Sequence, residues 1–348
     1  MTNVLSYTAK NTLTTISAGA LLAKQFPKRE VIIGPWLRQE ETALIWAATG
    51  VGKTMLTLSI AIAVAGGGKL WEWEAPKARK VWIIDGEMHL QDLQDRIRML
   101  GATAVSGHDP ELMGENLRIT ARQAQSPDSV FYDITDKSHQ DAILATCKRE
   151  GIELLIIDNL STVADGLEDE NEATAFRTIS AFMTRMKQAG IATILVHHAR
   201  KDGQEPRGST ALQTTFEVII GLKRPTVPVH GKASFVTTFG KFRGLGGRLT
   251  EARTWTLGET GWTVEEDAED FLNVLMAALE SRQCATQREL ADRLGVSTAK
   301  ISRELNKLVA LGRITRDGIK AALGEARELR EIDTGHVDAD FDPEVPEY

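Results

Sequence analysis

Apolar residues in this chain gather in short unbroken runs rather than strict alternation. Ala43-Leu44-Ile45-Trp46, Val81-Trp82-Ile83-Ile84, Leu154-Leu155-Ile156-Ile157 and Ala192-Thr193-Ile194-Leu195-Val196 are each short and mostly β-branched or aliphatic, which predicts parallel strands buried on both faces. Leu117-Arg118-Ile119-Thr120 reads as a weaker strand, and 235–239 alternates like one. Between these runs the period changes to that of a helix: 55–65 is apolar and Ala-rich, 89–100 places Leu90, Leu93, Ile97 and Leu100 on one face, 137–149 is helical, and Phe176, Ile179, Met183 and Met186 recur before a stop at Gly190. Strand and helix in turn predict an α/β core with a mainly parallel sheet over residues 41–262. Residues 1–40 carry only a weak helical pattern at Ile16, Ala20, Leu21 and Phe26, broken by Pro27, and read as an arm and a lead-in to the first core strand.

The pattern changes again beyond the core. Phe271, Val274, Leu275 and Leu279 share a helix face; 286–294, a turn at Gly295-Val296, and 297–309 read as a helix-turn-helix whose inward residues are Leu290, Leu294, Val296, Ile301, Leu305 and Leu308. Residues 312–318 read as the start of a β wing, so 268–320 is expected to be a small winged helix-turn-helix domain. Lys300, Arg303 and Lys307 fall on the outer face of its second helix, the pattern of a recognition helix, although such modules also serve as protein interfaces.

Charge sharpens this picture once it is located. The formal net charge is −7, yet residues 331–348 hold seven acids and no Lys or Arg, leaving 41 charges of each sign elsewhere. Residues 325–348, with Pro343 and Pro346, therefore read as an acidic, disordered tail: a solubilising end, or one that binds a partner or mimics DNA. Cys147 and Cys284 are isolated and lack metal-ligand spacing, so both are expected to pack. No apolar run reaches the roughly 18 residues of a membrane span, and no basic stretch followed by an apolar one opens the chain. A cytoplasmic protein with no membrane partner is expected.

The candidate chemistry sits at the ends of the apolar runs. Between the first strand and the first long helix lies Ala47-Ala48-Thr49-Gly50-Val51-Gly52-Lys53-Thr54. Glycines there let backbone N–H groups close round a polyphosphate at a helix N-terminus. Ala47, Thr49, Gly50, Val51, Gly52, Lys53, Thr54 and Met55 are the candidate nucleotide-binding residues, with Lys53 reaching the β and γ phosphates and Thr54 taking a magnesium position. The second run ends in Asp85-Gly86-Glu87, where such sheets place ligands. Glu87 is assigned to polarise the attacking water, against the reading that it caps the helix after it. The third run ends in Asp158, the expected partner of Thr54 in holding magnesium.

The fourth delivers His197 and His198, which point to opposite faces and so do not readily share a metal. His198 is read as a γ-phosphate sensor and His197 as packed. The polar loop 200–210, with Arg200, Lys201 and Arg207, is either a solvated surface loop or one that contacts a DNA strand in response to nucleotide. Residues 223–253 hold seven Lys or Arg against one acid. Lys241 and Arg243, read as lying on a glycine-rich loop at a strand end, could reach a neighbouring subunit's site or line a DNA channel. Trp71 and Trp73 could flank an adenine or simply pack.

The ordered set AATGVGKT, VWIIDGEM, LLIIDN and ILVHHARK resembles the RecA-like ATPases, most closely the plasmid RepA-type hexameric replicative DNA helicases, over roughly residues 15–260. That resemblance implies a ring-shaped, magnesium-dependent ATPase that binds ATP between subunits and moves on single-stranded DNA in replication of a plasmid, phage or mobile element. It matches Lys53 and Thr54 to the phosphate and magnesium ligands, Glu87 to the catalytic carboxylate, Asp158 to the second magnesium ligand and His198 to the sensor. Lys241 and Arg243 match the pair that acts in trans, with Arg207 as a rival. The appended winged helix departs from the simplest plasmid helicases. It opens an alternative: an ATP-switched regulator or helicase loader that binds duplex DNA through Lys300, Arg303 and Lys307.

Overall fold

The computed structural model describes residues 13–164, 173–199, 214–225, 233–244, 246–266 and 268–334. In chain order its elements are α1 (Ala18–Ala23), β1 (Val31–Ile33), β2 (Leu37–Arg38), β3 (Thr42–Ala47), α2 (Lys53–Gly66), β4 (Lys69–Leu70), β5 (Trp73–Glu74), β6 (Val81–Asp85), α3 (Leu90–Thr103), α4 (Pro110–Asn116), β7 (Leu117–Ala121), α5 (Lys137–Glu150), β8 (Leu154–Asp158), α6 (Ala173–Gln188), β9 (Ala192–His198), β10 (Val218–Lys223), β11 (Ala233–Phe242), β12 (Arg253–Gly258), β13 (Gly261–Glu266), α7 (Ala268–Glu280), α8 (Gln287–Leu294), α9 (Thr298–Ala310) and α10 (Arg316–Thr334).

Nine strands form one sheet in the order β13-β12-β11-β10-β3-β9-β8-β6-β7. From β10 to β7 all neighbours are parallel; β11, β12 and β13 extend the β10 edge as an antiparallel meander. This is the mainly parallel α/β core that the apolar runs predict. Each apolar run is buried along its whole length, β3, β6 and β8 at every position, because helices cover both faces. One core cluster lies on the α2 side and another on the α6 side, the latter holding Phe176, Ile179, Met183 and Met186 at 0% exposure. The α2 helix is apolar nearly all round and has no polar face to show to water, so it is sunk against the sheet and stops at Gly67 in the left-handed region.

Four expectations are corrected. The core reaches back beyond residue 41: Ile32, Ile33, Trp36 and Leu37 of the β1–β2 hairpin are at most 1% exposed, because four large apolar side chains gain most by joining the α2-side cluster. Lys241 lies inside β11 rather than on a loop. Its strand runs through Gly240, the unpaired residue of a bulge opposite Ile219 and Ile220, and pairing resumes at Lys241.

No wing is present among the described residues. Thr315 accepts a hydrogen bond from Gly318 N–H at 3.0 Å and so starts α10, whose Ile319, Ala322, Leu323 and Ala326 have helical spacing. Ile319, Ala322 and Leu323 pack on the cluster formed by α7, α8 and α9. The same helix runs on to Thr334, so 325–334 is helical rather than tail. The helix-turn-helix itself is present, with Thr286 and Ser297 as N-caps and Gly295 in the left-handed turn. No helix among the described residues is long and apolar enough to cross a membrane.

Candidate active site

Register brings the four strand ends to one edge. Ala47 pairs with His198, and Asp85 with Asp158, while β9 lies between the phosphate-loop strand and the strand ending in Asp158. The loop after β3 turns through Gly52 at φ +121°, a conformation closed to side chains, where an added Cβ would also press on Ala233 and Phe235. It then feeds α2, so the N-terminus of that helix faces the same edge.

A polar cavity of about 250 Å³ opens there, lined by Thr49, Gly50, Gly52, Lys53, Thr54, Met55, Glu87, Asp158 and His198 among others. Of the predicted loop residues, Ala47 and Val51 do not line it: both side chains are buried in the core. That volume suits a polyphosphate better than a whole nucleotide, because pockets that enclose drug-sized ligands start near 300 Å³.

Three side chains form a chain of contacts across this cavity. Lys53 donates to the Ala47 and Ala48 carbonyls at 3.0 and 3.2 Å and stands 3.2 Å from His198 Nδ1. An ammonium only donates, so Nδ1 accepts and the ring proton of a neutral His198 lies on Nε2. Nε2 faces Glu87 Oε1 at 3.6 Å, an electrostatic approach longer than a hydrogen bond. Burial pushes the Lys53 ammonium below its usual range, and Asp158 and Glu87 pull it back up. His197 is buried at 0% exposure, as expected for the packed member of the pair.

The acids divide their work. Burial, reinforced by Asp85 nearby, pushes the Asp158 carboxyl up to about 7, against a hydrogen bond from the Thr54 hydroxyl. Thr57 Oγ1 adds a contact at 3.5 Å. A hydroxyl and a carboxylate at the phosphate loop are hard oxygen donors, and magnesium bound with phosphates needs only one or two of these from protein, so Thr54 and Asp158 fit such an ion. Asp85 is buried and turned away from this role. Its Oδ1 accepts from the Glu87 and Met88 backbone N–H groups at 3.0 and 2.7 Å, shaping the loop that carries Glu87. Burial raises its pKa, and those two bonds oppose the rise.

Glu87 does not cap the following helix. The N-cap of α3 is His89, and the Glu87 carboxylate goes instead to Asn159 Nδ2 at 2.6 Å and towards His198.

Two residues of this site carry no sequence signal strong enough to single them out. Asn159 follows Asp158 as an ordinary polar residue until register lays it against Glu87. Arg96 lies in the second turn of a helix read only for its apolar face, yet its side chain lines the cavity. A search for cations one helix beyond a strand-end acid would have found it.

Other candidates lie elsewhere. Arg200, Lys201 and Arg207 fall outside the described residues. Lys241 is level with Leu44 through their shared partner Ile219, and Arg243 lies one residue beyond Phe242, which is level with Ala43. The pair therefore sits at the start of β3, some 10–16 Å from its own phosphate loop along the strand direction. Lys241 donates to Thr214 O at 3.3 Å, and Arg243 approaches Glu217 at 3.8 Å. Glu217 also accepts from Lys187 and from Thr42 at 2.8–3.0 Å.

On α9, Lys300 packs over Phe271 and pairs with Glu266, while Arg303 and Lys307 both pair with the buried Glu304 at 3.0 Å. Trp73 is buried among Trp36, Trp255 and Phe239, and Trp71 packs edge-on to Trp255, so these tryptophans pack rather than face the cavity. Cys147 and Cys284 are free and buried.

Among curated proteins none matches the sequence. Among solved structures, a KaiC-like protein from the hyperthermophilic archaeon Pyrococcus horikoshii OT3 is similar with a TM-score of 0.49 and 15% identity, over 69% of this chain and 96% of that one. The profile of the AAA domain family matches residues 9–204, more than half of the 348. That stretch takes in the phosphate loop, both acidic strand ends and His198, and by it the chain belongs to the AAA domain family.

Proposed function

We propose that this protein is a magnesium-dependent ATP hydrolase that assembles as a ring, a hexamer, and moves on single-stranded DNA in replication of a plasmid, phage or mobile element. The observation that carries the ATPase reading is the convergence of Lys53, His198 and Glu87 at the strand edge where Thr54 meets Asp158. The loop N–H groups and Lys53 hold the phosphates. Glu87 accepts a proton from water as its oxygen attacks the γ phosphorus and the bond to the β-phosphate bridging oxygen breaks. Bound magnesium, held by Thr54 and Asp158, would neutralise charge on the β and γ phosphates. His198, between Lys53 and Glu87, is placed to register whether a γ phosphate is present.

The ring reading is supported by the distance between Lys241–Arg243 and their own phosphate loop. A pair at the other end of the strands is out of reach of its own site but within reach of a neighbour's in a head-to-tail ring. Action on DNA rests on the resemblance and on the basic stretch 223–253. The rival reading, a regulator or loader using α9, has weaker support, since two of the cations on that helix flank Glu304 and the third is paired with Glu266.

The test is ATP turnover with and without single-stranded DNA, for the wild type and Glu87→Gln, across protein concentrations that span assembly. Stimulation by single strands, steep concentration dependence and a loss of about 10²–10⁴ in kcat for Glu87→Gln are expected. Turnover indifferent to single strands would replace the motor by the switch, and near-normal turnover in Glu87→Gln would remove the base.

A further inference from the structure

Asn159 begins the turn after β8 and is 1% exposed, whereas the Glu87 side chain it touches is 52% exposed. The bond between them, from Nδ2 to Oε1, is 2.6 Å long, short for an N–H···O hydrogen bond. The fixed member is the asparagine. Its carbonyl accepts from Thr162 N–H at 3.1 Å and from the Thr162 hydroxyl at 2.9 Å, closing a single turn of 3₁₀ helix over Leu160–Thr162.

Thr162 lies so close to Gly86 that a Cβ there would fall inside its hydroxyl, and Gly86 N–H donates to Asp158 O at 2.8 Å. Arg122, from the loop after β7, donates to Thr162 O at 2.8 Å. Three strand-end loops are thus interlocked beneath one exposed carboxylate.

We propose that Asn159 is a positioning residue for hydrolysis. Its side-chain amide holds one oxygen of Glu87, so that the other is presented to the attacking water. An exposed glutamate samples several rotamers, of which only a few place an oxygen within hydrogen-bond reach of a water in line with the γ phosphorus. A hydrogen bond from a buried, doubly anchored neighbour selects among them. Among the described residues both contacts of the carboxylate, from Asn159 and towards His198, involve Oε1, so Oε2 is the oxygen presented to take the proton. This inference rests on Glu87 being the base and assigns the group that aims it.

The experiment compares Asn159→Ala and the isosteric Asn159→Asp, which keeps the volume and loses the donor, in the wild-type and Glu87→Gln backgrounds of the full chain. Steady-state ATP turnover gives kcat and KM, and binding of a fluorescent ADP analogue checks the site. Both variants are expected to lose at least about tenfold in kcat, with KM and ADP affinity within about twofold. Neither is expected to lower the residual rate further when Glu87 is already Gln, because a residue that acts through Glu87 has nothing left to aim.

Wild-type kcat in either variant that binds ADP normally would overturn the proposal, as would a full further loss on the Gln background. If Glu87→Gln alone keeps its turnover, it is the base assignment that falls instead. Should both Asn159 variants fail to fold, the wild-type chain still decides: replacing Glu87 by Ala must shift the NMR signals of the Asn159 side-chain amide protons, and unchanged signals would dismiss the contact.

Discussion

Asp158 meets opposing requirements. It is buried beside Asp85, which favours its neutral form, yet holding a cation requires it ionised. Its pKa in the folded chain is pushed up to about 7 from an ordinary 3.8, so between those values the folded protein binds a proton that the unfolded chain does not. Stability from this group is therefore present below the lower value and is lost as pH rises through the upper one. Asp158→Asn, the same shape without the charge, should match the wild type only below about pH 3.8 and gain on it by on the order of 1–3 kcal/mol between pH 5 and pH 8 in metal-free denaturation. Parallel pH profiles for the two proteins would sink this account.

Magnesium–nucleotide must expel the same proton, so its affinity should fall about fivefold between about pH 7 and pH 6. Calorimetry in buffers of different ionisation heat reads that proton directly. Lys53 meets the converse pressure, a cation buried against the Ala47 and Ala48 carbonyls. Lys53→Ala removes the one lysine that lines the cavity among the described residues. Loss of ATP binding or of hydrolysis is expected in equilibrium binding and turnover assays, and retention of both would exclude it from the site.

At the scale of elements, the site depends on loops that fit together without slack. Gly86→Ala drives a methyl into Thr162, and neither loop has an easy way to yield, since Asp85, Asp158 and Arg122 pin both. A cost of about 1–3 kcal/mol in unfolding free energy is expected, accompanied by a fall in kcat. A neutral result in chemical denaturation would mean the loops are free to part.

These contacts also explain how much could be read beforehand. Strand ends and their acids were legible because β6 and β8 are buried on both faces, so four apolar residues in a row followed by Asp leave little choice of structure. The roles of Asp85 and Asn159 were not, because each depends on which strand lies next to which. Lys241 reads as part of a glycine-rich loop, whereas Gly240 before it is the spare residue of a bulge inside the strand. Residues 312–318 read as the start of a wing, but Gly318 donates to Thr315 and sits inside the first turn of a helix whose apolar spacing begins only at Ile319.

For the whole molecule, the question is whether a site is completed by its own chain. The sheet separates phosphate loop and basic pair by most of a strand length, and Glu217 fixes the latter end by tying Lys187, Thr42 and Arg243 together. Hydrogen bonds from Lys187 and Thr42 outweigh the cost of burial and hold Glu217 below the usual carboxylate range, so it stays an anion among these cations. If Lys241 and Arg243 act across an interface, Lys53→Ala and the double variant Lys241→Ala, Arg243→Ala should each lack turnover alone, while the double variant still binds nucleotide. Mixed together before assembly, they should regain part of it. Wherever a chain with an intact phosphate loop adjoins one with an intact pair, the composite site is whole, and about a quarter of random interfaces meet that condition. Turnover of mixed rings is then expected to peak near equal proportions. No recovery at any ratio, in mixtures shown to co-assemble, would confine Lys241 and Arg243 to some other task such as lining a DNA channel, where positive charge alone suffices.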